Sequence, residues 1–362
     1  MTREEGKMKI NHNLFVLTIF IITSLTVKTA WAELIFIDLT HEIPTFEPIP
    51  NDDDPTKPKP DLSNPIAHST PIAGFYQQAI LYPADDWATN EGYFSSRAIL
   101  IEEHNGTSFN STNHYFNNEA SLEPKSIPNT NRKAAHQLTT EQLSGKIVLI
   151  DVSDRVKMEL AKNAGKPSPD IFITDFSDSS RATVRASDIV RVADQIEDGV
   201  WVVARVGWDQ FYFADTEDWD ASEYVNGLNH PGFTAEAIAK LIDIMDRKGV
   251  KISGIAADSF SVDSGEGAKG IDDNWGNAWP AHVRLYQRDI LIVENLANLA
   301  ELARADNKND DCYLMVGALK HVGGTGGPAR VMATCEVNDG ISSENGKHMF
   351  RNEHRKHNKN DH

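Results

Sequence analysis

Short apolar runs along the chain predict a series of buried strands. Residues 33–40 (ELIFIDLT) and 146–152 (KIVLIDV) are apolar at almost every position. Continuous apolar runs of this length are typical of strands that are covered on both faces of a sheet. Similar strand signals occur at residues 97–103, 199–206, 254–260, 312–319 and 329–334.

Helical patterns alternate with these predicted strands. Residues 234–248 (TAEAIAKLIDIMDRK) place apolar side chains at helical spacing, and Thr234 is a candidate N-cap. Residues 289–305 begin as a strand, DILIVEN, and continue with a helical pattern, LANLAELARA. Because strands and helices alternate irregularly, we expect an α/β domain with a mixed sheet.

The first 32 residues have the three-part pattern of a secretory signal peptide. Lys9 precedes an apolar stretch at residues 14–25, and Ala30-Trp31-Ala32 supplies a small-x-small end. We therefore predict that residues 1–32 are cleaved before Glu33 and that the mature protein is exported, either periplasmic or secreted. The alternative is an uncleaved anchor, although the apolar stretch is short for a membrane span.

The other end of the chain, residues 338–362, is polar and rich in histidine, and it predicts a disordered tail. The chain between the two ends, residues 33–337, is then one domain. The formal net charge of the chain is -18, and no basic stripe is present to bind nucleic acid. We therefore expect neither nucleic acid nor, after signal cleavage, a membrane as a partner.

Export determines how the two cysteines of the chain, Cys312 and Cys335, are interpreted. In an oxidising compartment an isolated pair of cysteines predicts a disulfide. Two buried free thiols are the alternative. The chain contains no Cys-x-x-Cys sequence, so neither a thiol redox site nor a zinc knuckle is indicated.

Histidines beside predicted strands are the candidate chemistry. His104 follows a predicted strand directly, and His114 lies further along the same polar segment, HNGTSFNSTNHYF (residues 104–116). His282 precedes the predicted strand that ends at Glu294. Metal sites often take their ligands from strands and helices that are distant in sequence, so these residues could converge. From spacing alone, the alternative is that each histidine is a hydrogen-bonded structural residue.

The order of several motifs resembles the metal-dependent cyclase family, which includes bacterial kynurenine formamidase, isatin hydrolase and a trans-dienelactone hydrolase. The family motif H-x-G-T-H-x-D-x-P-x-H has the same frame as residues 104–114, and His282 and Glu294 stand at the family's His-to-Glu spacing. Further similarities follow in family order at DLTHEIP (38–44), ARVGW (204–208), HPGFTAEA (230–237), GIAADSFSVD (254–263) and GGTGGPARV (323–331). The resemblance implies an α/β fold, a swivelling β/β/α domain, that forms a homodimer or homotetramer and acts on a small-molecule substrate.

The resemblance also implies a role for each matching residue. In the family, the first His, the GTH His and the Asp bind one divalent metal, and the Asp, a later His and a Glu bind a second. The last His of the motif is the general acid–base, and a metal-activated water is the nucleophile. His104, His114, His282 and Glu294 keep the family's residue types. His114 is therefore the implied catalytic residue.

Three positions depart from the family motif: Ser108 stands where the family has His, Asn110 where it has Asp, and Thr112 where it has Pro. Two divalent ions carry four positive charges, and Glu294 is the only formal anion left among the matched ligands. We therefore predict one metal, zinc or manganese. Its candidate ligands are His104, Asn110, His282 and Glu294, with Ser108 as the weakest candidate.

Taken with the resemblance, these residues predict an exported metal-dependent hydrolase that acts on an amide, lactone or formamide carbonyl. The alternative is a catalytically inactive cyclase-fold protein that binds a small ligand or partner, which the altered positions 108, 110 and 112 favour. Asp258 is expected to orient a histidine or to hold its loop, with a simple turn residue as the alternative. Trp208 is expected to pack the pocket wall.

Overall fold

The computed structural model describes residues 33–43, 45–46, 79–82, 98–114, 132–162, 176–177, 180–212, 224, 229–265, 279–306 and 311–337. Leu34–Glu336 form one compact unit. The predicted signal peptide at residues 1–32 and the predicted tail at residues 338–362 lie outside the described residues. Both assignments, and the domain boundaries that depend on them, stay predictions.

The strands form a mixed sheet that closes on itself. In chain order the described strands are β1 (Glu33–Asp38), β2 (Thr45–Phe46), β3 (Ala79–Tyr82), β4 (Ala98–Leu100), β5 (Ser108–Asn110), β6 (Ser144–Asp151), β7 (Trp201–Arg205), β8 (Gly254–Ala257), β9 (Leu291–Glu294), β10 (Cys312–Ala318) and β11 (Gly326–Val337). The closed ring of strands runs in the order β11–β10–β6–β7–β8–β9–β5 and returns to β11. Strand β1 pairs with β11 beside this ring. Strands β2, β3 and β4 form a second sheet. Strands β6 to β9 are parallel, whereas β5, β10 and β11 pair antiparallel. The predicted α/β fold with a mixed sheet is confirmed.

The described α-helices are α1 (Ser153–Ala161), α2 (Ala186–Arg191), α3 (Ala235–Lys248), α4 (Pro280–Tyr286) and α5 (Leu299–Asp306). The N-cap prediction for α3 is confirmed, because the Thr234 hydroxyl accepts a hydrogen bond from the Ala237 amide at 3.1 Å. None of the helices in the described ranges combines the length and the apolar character needed to cross a membrane.

Strand β7 shows why the apolar runs are continuous. Val202 and Ala204 pack into a cluster with residues of α2, α3 and α4 on one face of the sheet. Trp201 and Val203 pack on the other face, into a cluster with residues of β10, β11 and α5. At residues 201–204, where β7 is covered on both faces, the strand has no position for a polar side chain.

The glycines at the start of β11 let the sheet close. Gly326 pairs with Asn110, and Gly327 with Phe109. A Cβ atom on Gly326 would lie 2.4 Å from the Phe109 carbonyl oxygen and 2.5 Å from His104 Cε1, so only glycine fits there. From the sequence, residues 104–116 are a polar segment without a strand signal, and the last strand signal covers residues 329–334. In the structure β5 lies within that segment and β11 begins at Gly326, because the two strands pair although they are far apart in sequence.

A disulfide joins β10 to β11. Cys312 and Cys335 lie directly opposite each other in the two antiparallel strands, and their sulfur atoms are bonded. The predicted disulfide is confirmed, and the alternative of two free thiols is wrong.

Candidate functional site

Strands β5 and β9 supply the base of the candidate site. They run antiparallel, with Ser108 opposite Glu294 and Asn110 opposite Ile292. The Ser108, Asn110 and Glu294 side chains are all buried. Burial of three polar side chains on adjacent strands requires that they be hydrogen-bonded or hold an ion, since an unpaired polar group costs about 1–3 kcal/mol.

Three histidines lie on one side of this pair of strands. His104 precedes β5, His114 follows it, and His282 lies in α4. The ring centroids of His104 and His114 are 3.7 Å apart, and those of His114 and His282 are 6.1 Å apart. The His282 Nε2 atom is 3.5 Å from Glu294 Oε1. The structure therefore brings every predicted site residue into one cluster.

Asn110 connects two of these residues by hydrogen bonds. Its Oδ1 atom is 2.6 Å from His104 Nδ1, and its amide nitrogen donates to Glu294 Oε2 at 2.8 Å. The other carboxylate oxygen, Glu294 Oε1, accepts a hydrogen bond from the Val262 amide at 3.0 Å. Both oxygens of Glu294 are therefore held in fixed directions, with Oε1 toward His282.

A second polar contact holds the other side of the His104 ring. His104 Nε2 is 3.0 Å from the Thr325 hydroxyl, which is also 2.5 Å from Glu103 Oε2. Both ring nitrogens of His104 are thus within hydrogen-bond distance of protein oxygens. Burial lowers the pKa of His104 to about 4, so the ring is neutral near pH 7. Glu103 and Thr325 carried no role in the sequence prediction, although both lie beside or within quoted motifs.

Asp263 orients His282. Its Oδ2 atom is 2.6 Å from His282 Nδ1, and its Oδ1 atom accepts a hydrogen bond from the Ala281 amide at 2.7 Å. A carboxylate on one ring nitrogen leaves the other nitrogen, Nε2, directed toward Glu294. This is the outer-shell arrangement that metal-binding histidines commonly have. The sequence analysis assigned no role to Asp263, although it is the last residue of the quoted GIAADSFSVD motif.

The pKa shifts of the His282–Glu294 pair follow from burial and mutual attraction. Burial alone lowers the pKa of His282, but the neighbouring Glu294 and Asp263 carboxylates outweigh it and raise that pKa overall. Burial raises the pKa of Glu294, against the opposing effects of His282 and of the hydrogen bonds from Val262 and Asn110. Both shifts have the same meaning: a positive charge beside Glu294 is favoured, because it offsets the cost of burying the Glu294 carboxylate.

The spacing of His282 and Glu294 fits a shared metal ion. The 3.5 Å between His282 Nε2 and Glu294 Oε1 is close to the separation of two ligands that each lie about 2.0–2.2 Å from a shared zinc ion. His104 and Asn110, in contrast, are bonded to each other and to other protein atoms. No group of three or more His, Cys, Asp or Glu side chains within the described ranges is arranged to hold a metal. His282 Nε2 and Glu294 Oε1 are thus the two atoms whose spacing suits a shared metal.

His114 is in the unprotonated form that can accept a proton. Burial, together with the neighbouring His104 and His282 rings, lowers the pKa of His114 well below 6.5, so the ring is neutral at physiological pH. His114 is also partly exposed, whereas His104 and His282 are buried. Of the three histidines it is therefore the one most accessible to a bound molecule.

Asp258 and Trp208 have structural roles. The Asp258 carboxylate accepts hydrogen bonds from the Val206 and Gly207 amides, both at 2.7 Å, so it holds the chain where it leaves β7. This matches the predicted loop-holding role. Trp208 is fully buried, its indole N–H donates to the Tyr224 carbonyl at 2.7 Å, and its ring packs edge-on against Phe176.

Comparisons with known proteins agree with this architecture. An isatin hydrolase bound to the product analogue thioisatinate is 20% identical, with a TM-score of 0.55, over 91% of this chain and 100% of that one. Isatin hydrolase A from Labrenzia aggregata, bound to benzyl benzoate, is 22% identical, with a TM-score of 0.54, over 88% and 100%. Isatin hydrolase A from Ralstonia solanacearum is 18% identical, with a TM-score of 0.54, over 91% and 100%. At these identities the similarity shows a shared fold.

The comparison at the level of protein families is more specific. No curated protein matches the sequence. The model of the family described as "Putative cyclase" matches residues 37–264, a range that includes His104, Asn110 and His114 and ends before His282 and Glu294. Because this match covers more than half of the chain, and the resemblance of the motifs agrees with it, the chain belongs to the cyclase family.

Proposed function

We propose that this protein is a metal-dependent hydrolase that cleaves an amide, lactone or formamide of a small molecule. The observation that carries the proposal is the convergence of a neutral, partly exposed His114 with the oriented pair His282–Glu294. A general base next to a potential ligand pair is the arrangement that hydrolysis of a carbonyl compound requires. The isatin hydrolases that share the fold make isatin a natural member of a substrate panel.

His282 and Glu294 would hold one divalent ion, zinc or manganese, and when bound it supplies Lewis acidity for the substrate carbonyl and lowers the pKa of a water. Asp263 keeps His282 Nε2 directed at the ligand position, and Asn110 and Val262 keep Glu294 Oε1 directed there. His114 takes the proton of the attacking water and returns it to the leaving group.

A second candidate function is binding without turnover. Asn110 favours it, because a neutral amide stands where the cyclase motif has a carboxylate and is bonded to two site residues. A cyclase fold with this change keeps a polar cluster for a small ligand or partner but lacks negative charge to hold a metal firmly.

A substrate panel with and without chelator separates the two candidates. The parent should hydrolyse at least one compound among isatin, N-formyl aromatic amines and simple lactones, and a chelator should abolish the reaction. His114→Ala should lower kcat by about 10²–10⁴-fold, the usual contribution of a general acid–base. The matched control, His136→Ala, removes a histidine whose Nδ1 accepts from the Gly323 amide, and it should keep activity. Binding of panel compounds without any hydrolysis would support the second candidate.

We also propose that the protein is exported, because residues 14–25 and Ala30–Ala32 form the pattern of a cleaved signal. Expression of the full chain in a bacterium, followed by fractionation and N-terminal sequencing, tests this directly. A mature N-terminus at Glu33 in the periplasm or medium is expected. An intact N-terminus in the membrane fraction would contradict cleavage and favour the anchor.

A further inference from the structure

We infer that the Asn110 amide takes the place of a metal in this site: it bridges His104 to Glu294 by hydrogen bonds, and His104 is not a ligand. The inference rests on the proposed function only for the single ion at His282–Glu294, and it revises the expectation that His104 and Asn110 bind that ion. Under this inference, the residue type at position 110 determines how many metals the site holds.

The chemistry of the amide makes this bridge possible. An amide carries both a donor and an acceptor, whereas a carboxylate carries only acceptors. The Asn110 nitrogen donates to Glu294 Oε2 at 2.8 Å, while the Asn110 oxygen lies 2.6 Å from His104 Nδ1. An aspartate in this position would place two carboxylates in direct contact. Two buried carboxylates in contact require a proton or a cation between them.

The far side of His104 is also occupied. His104 Nε2 lies 3.0 Å from the Thr325 hydroxyl, and Glu103 Oε2 in turn accepts hydrogen bonds from the Thr325 amide and hydroxyl. Nδ1 carries the proton that is donated to Asn110 Oδ1, and the Thr325 hydroxyl oxygen lies 3.0 Å from Nε2, so a metal could bind Nε2 only if Thr325 moved. This is why His104 differs from His282, whose Nε2 faces a carboxylate oxygen 3.5 Å away.

The Asn110→Asp variant tests the inference through metal content. Parent, His104→Ala, Asn110→Asp and the double variant are incubated with zinc, dialysed and measured by elemental analysis. We expect His104→Ala to hold as much zinc as the parent. Asn110→Asp should gain about one zinc per chain relative to the parent, and the double variant should lose that gain, since carboxylate and imidazole together are typical zinc ligands.

Asn295→Asp is the matched control. Asn295 is a buried asparagine next to Glu294 in the chain, but its side chain contacts the Gly106 carbonyl and the Tyr224 hydroxyl instead of His104. The same change of amide to carboxylate should therefore add no zinc. This control separates a specific site from the general effect of one more buried negative charge.

Thermal unfolding gives a second readout that does not depend on activity. With chelator present, Asn110→Asp should melt about 5 °C or more below the parent, because two buried carboxylates then face each other, and zinc should restore the loss. Zinc should not restore stability to Asn295→Asp. A folded Asn110→Asp that gains no zinc, or a parent that loses its zinc in His104→Ala, would overturn the inference. If the metal contents are as expected but no compound is hydrolysed, only the proposed function is contradicted.

Discussion

At the scale of single residues, the site depends on which partner fixes each side chain. His282 and His104 are both buried histidines, yet Asp263 leaves one nitrogen of His282 facing Glu294, whereas the nitrogens of His104 lie 2.6 Å from an Asn110 oxygen and 3.0 Å from the Thr325 hydroxyl. The motif alone could not distinguish them, because it specifies residue types and not hydrogen-bond partners. The partner of His282 therefore determines how well it can bind a metal.

Asp263→Asn should weaken metal binding without unfolding the protein. The amide can still accept the Ala281 hydrogen bond, but it no longer supplies the charge that orients the His282 ring. We expect affinity for zinc to fall about 10–100-fold, as is usual when an outer-shell carboxylate is removed. Competition with a chromogenic chelator measures this. Asp246→Asn, at an exposed ion pair with Arg288, is the control and should leave affinity unchanged.

At the scale of elements, the sequence predicted the buried strands and α3 well because those patterns are local. Residues 108–110 were not predicted as a strand, since three polar or mixed residues carry no strand signal of their own. They form β5 because β9 and β11 pair with them from positions far along the chain. The pairing of β5 with both strands is therefore the part of the site that no local pattern could reveal.

Gly326→Ala should disturb the contact that closes the sheet. The added Cβ atom would lie 2.4 Å from the Phe109 carbonyl oxygen and 2.5 Å from His104 Cε1, so β5 or β11 must move. Overpacking of this kind costs about 1–3 kcal/mol, which urea unfolding would detect. In the control Gly249→Ala, a Cβ atom meets no atom within 4 Å, so only the cost of a positive φ is expected. Equal losses in the two variants would argue against a close contact at Gly326.

Asp258 should make stability depend on pH. Burial, with Asp209 nearby, raises the pKa of Asp258 to about 8, so the folded state keeps a proton that the unfolded state loses near pH 4. The contribution of Asp258 to stability should therefore fall as pH rises from about 4 to about 8. Asp258→Asn cannot ionise and loses one acceptor for the Val206 and Gly207 amides, a cost of about 1–3 kcal/mol.

Urea unfolding of the parent and of Asp258→Asn near pH 5 and near pH 8 tests this account. The variant should be less stable than the parent near pH 5, and the difference should shrink near pH 8. A difference that grows with pH would mean that the folded state holds the Asp258 carboxylate ionised.

At the scale of the whole molecule, strand β11 takes part both in the disulfide and in the closure of the sheet. β11 carries Cys335, bonded to Cys312 of β10, and its first residues pair with β5 beside the site. The sequence predicted the cysteine pair from export and composition, but not that the two cysteines would face each other in adjacent strands. The number of subunits, expected to be two or four from the family resemblance, stays a prediction.

Reduction of the disulfide should destabilise the protein by about 2–4 kcal/mol, the usual effect of opening a loop of this size. Chemical unfolding with and without a strong reductant measures the effect. The double variant Cys312→Ala/Cys335→Ala is the control, because its stability should not respond to reductant. A parent whose unfolding midpoint ignores reductant would contradict a stabilising disulfide.

We propose that His282 and Glu294 hold one metal ion in a site whose other residues are held together by hydrogen bonds. The most direct test is the metal content of residues 33–337, prepared without chelator and without the histidine-rich end of the chain. The account predicts about one zinc or manganese per chain in the parent and none in His282→Ala. No metal in the parent after incubation with both ions, or a metal that persists in His282→Ala, would contradict it.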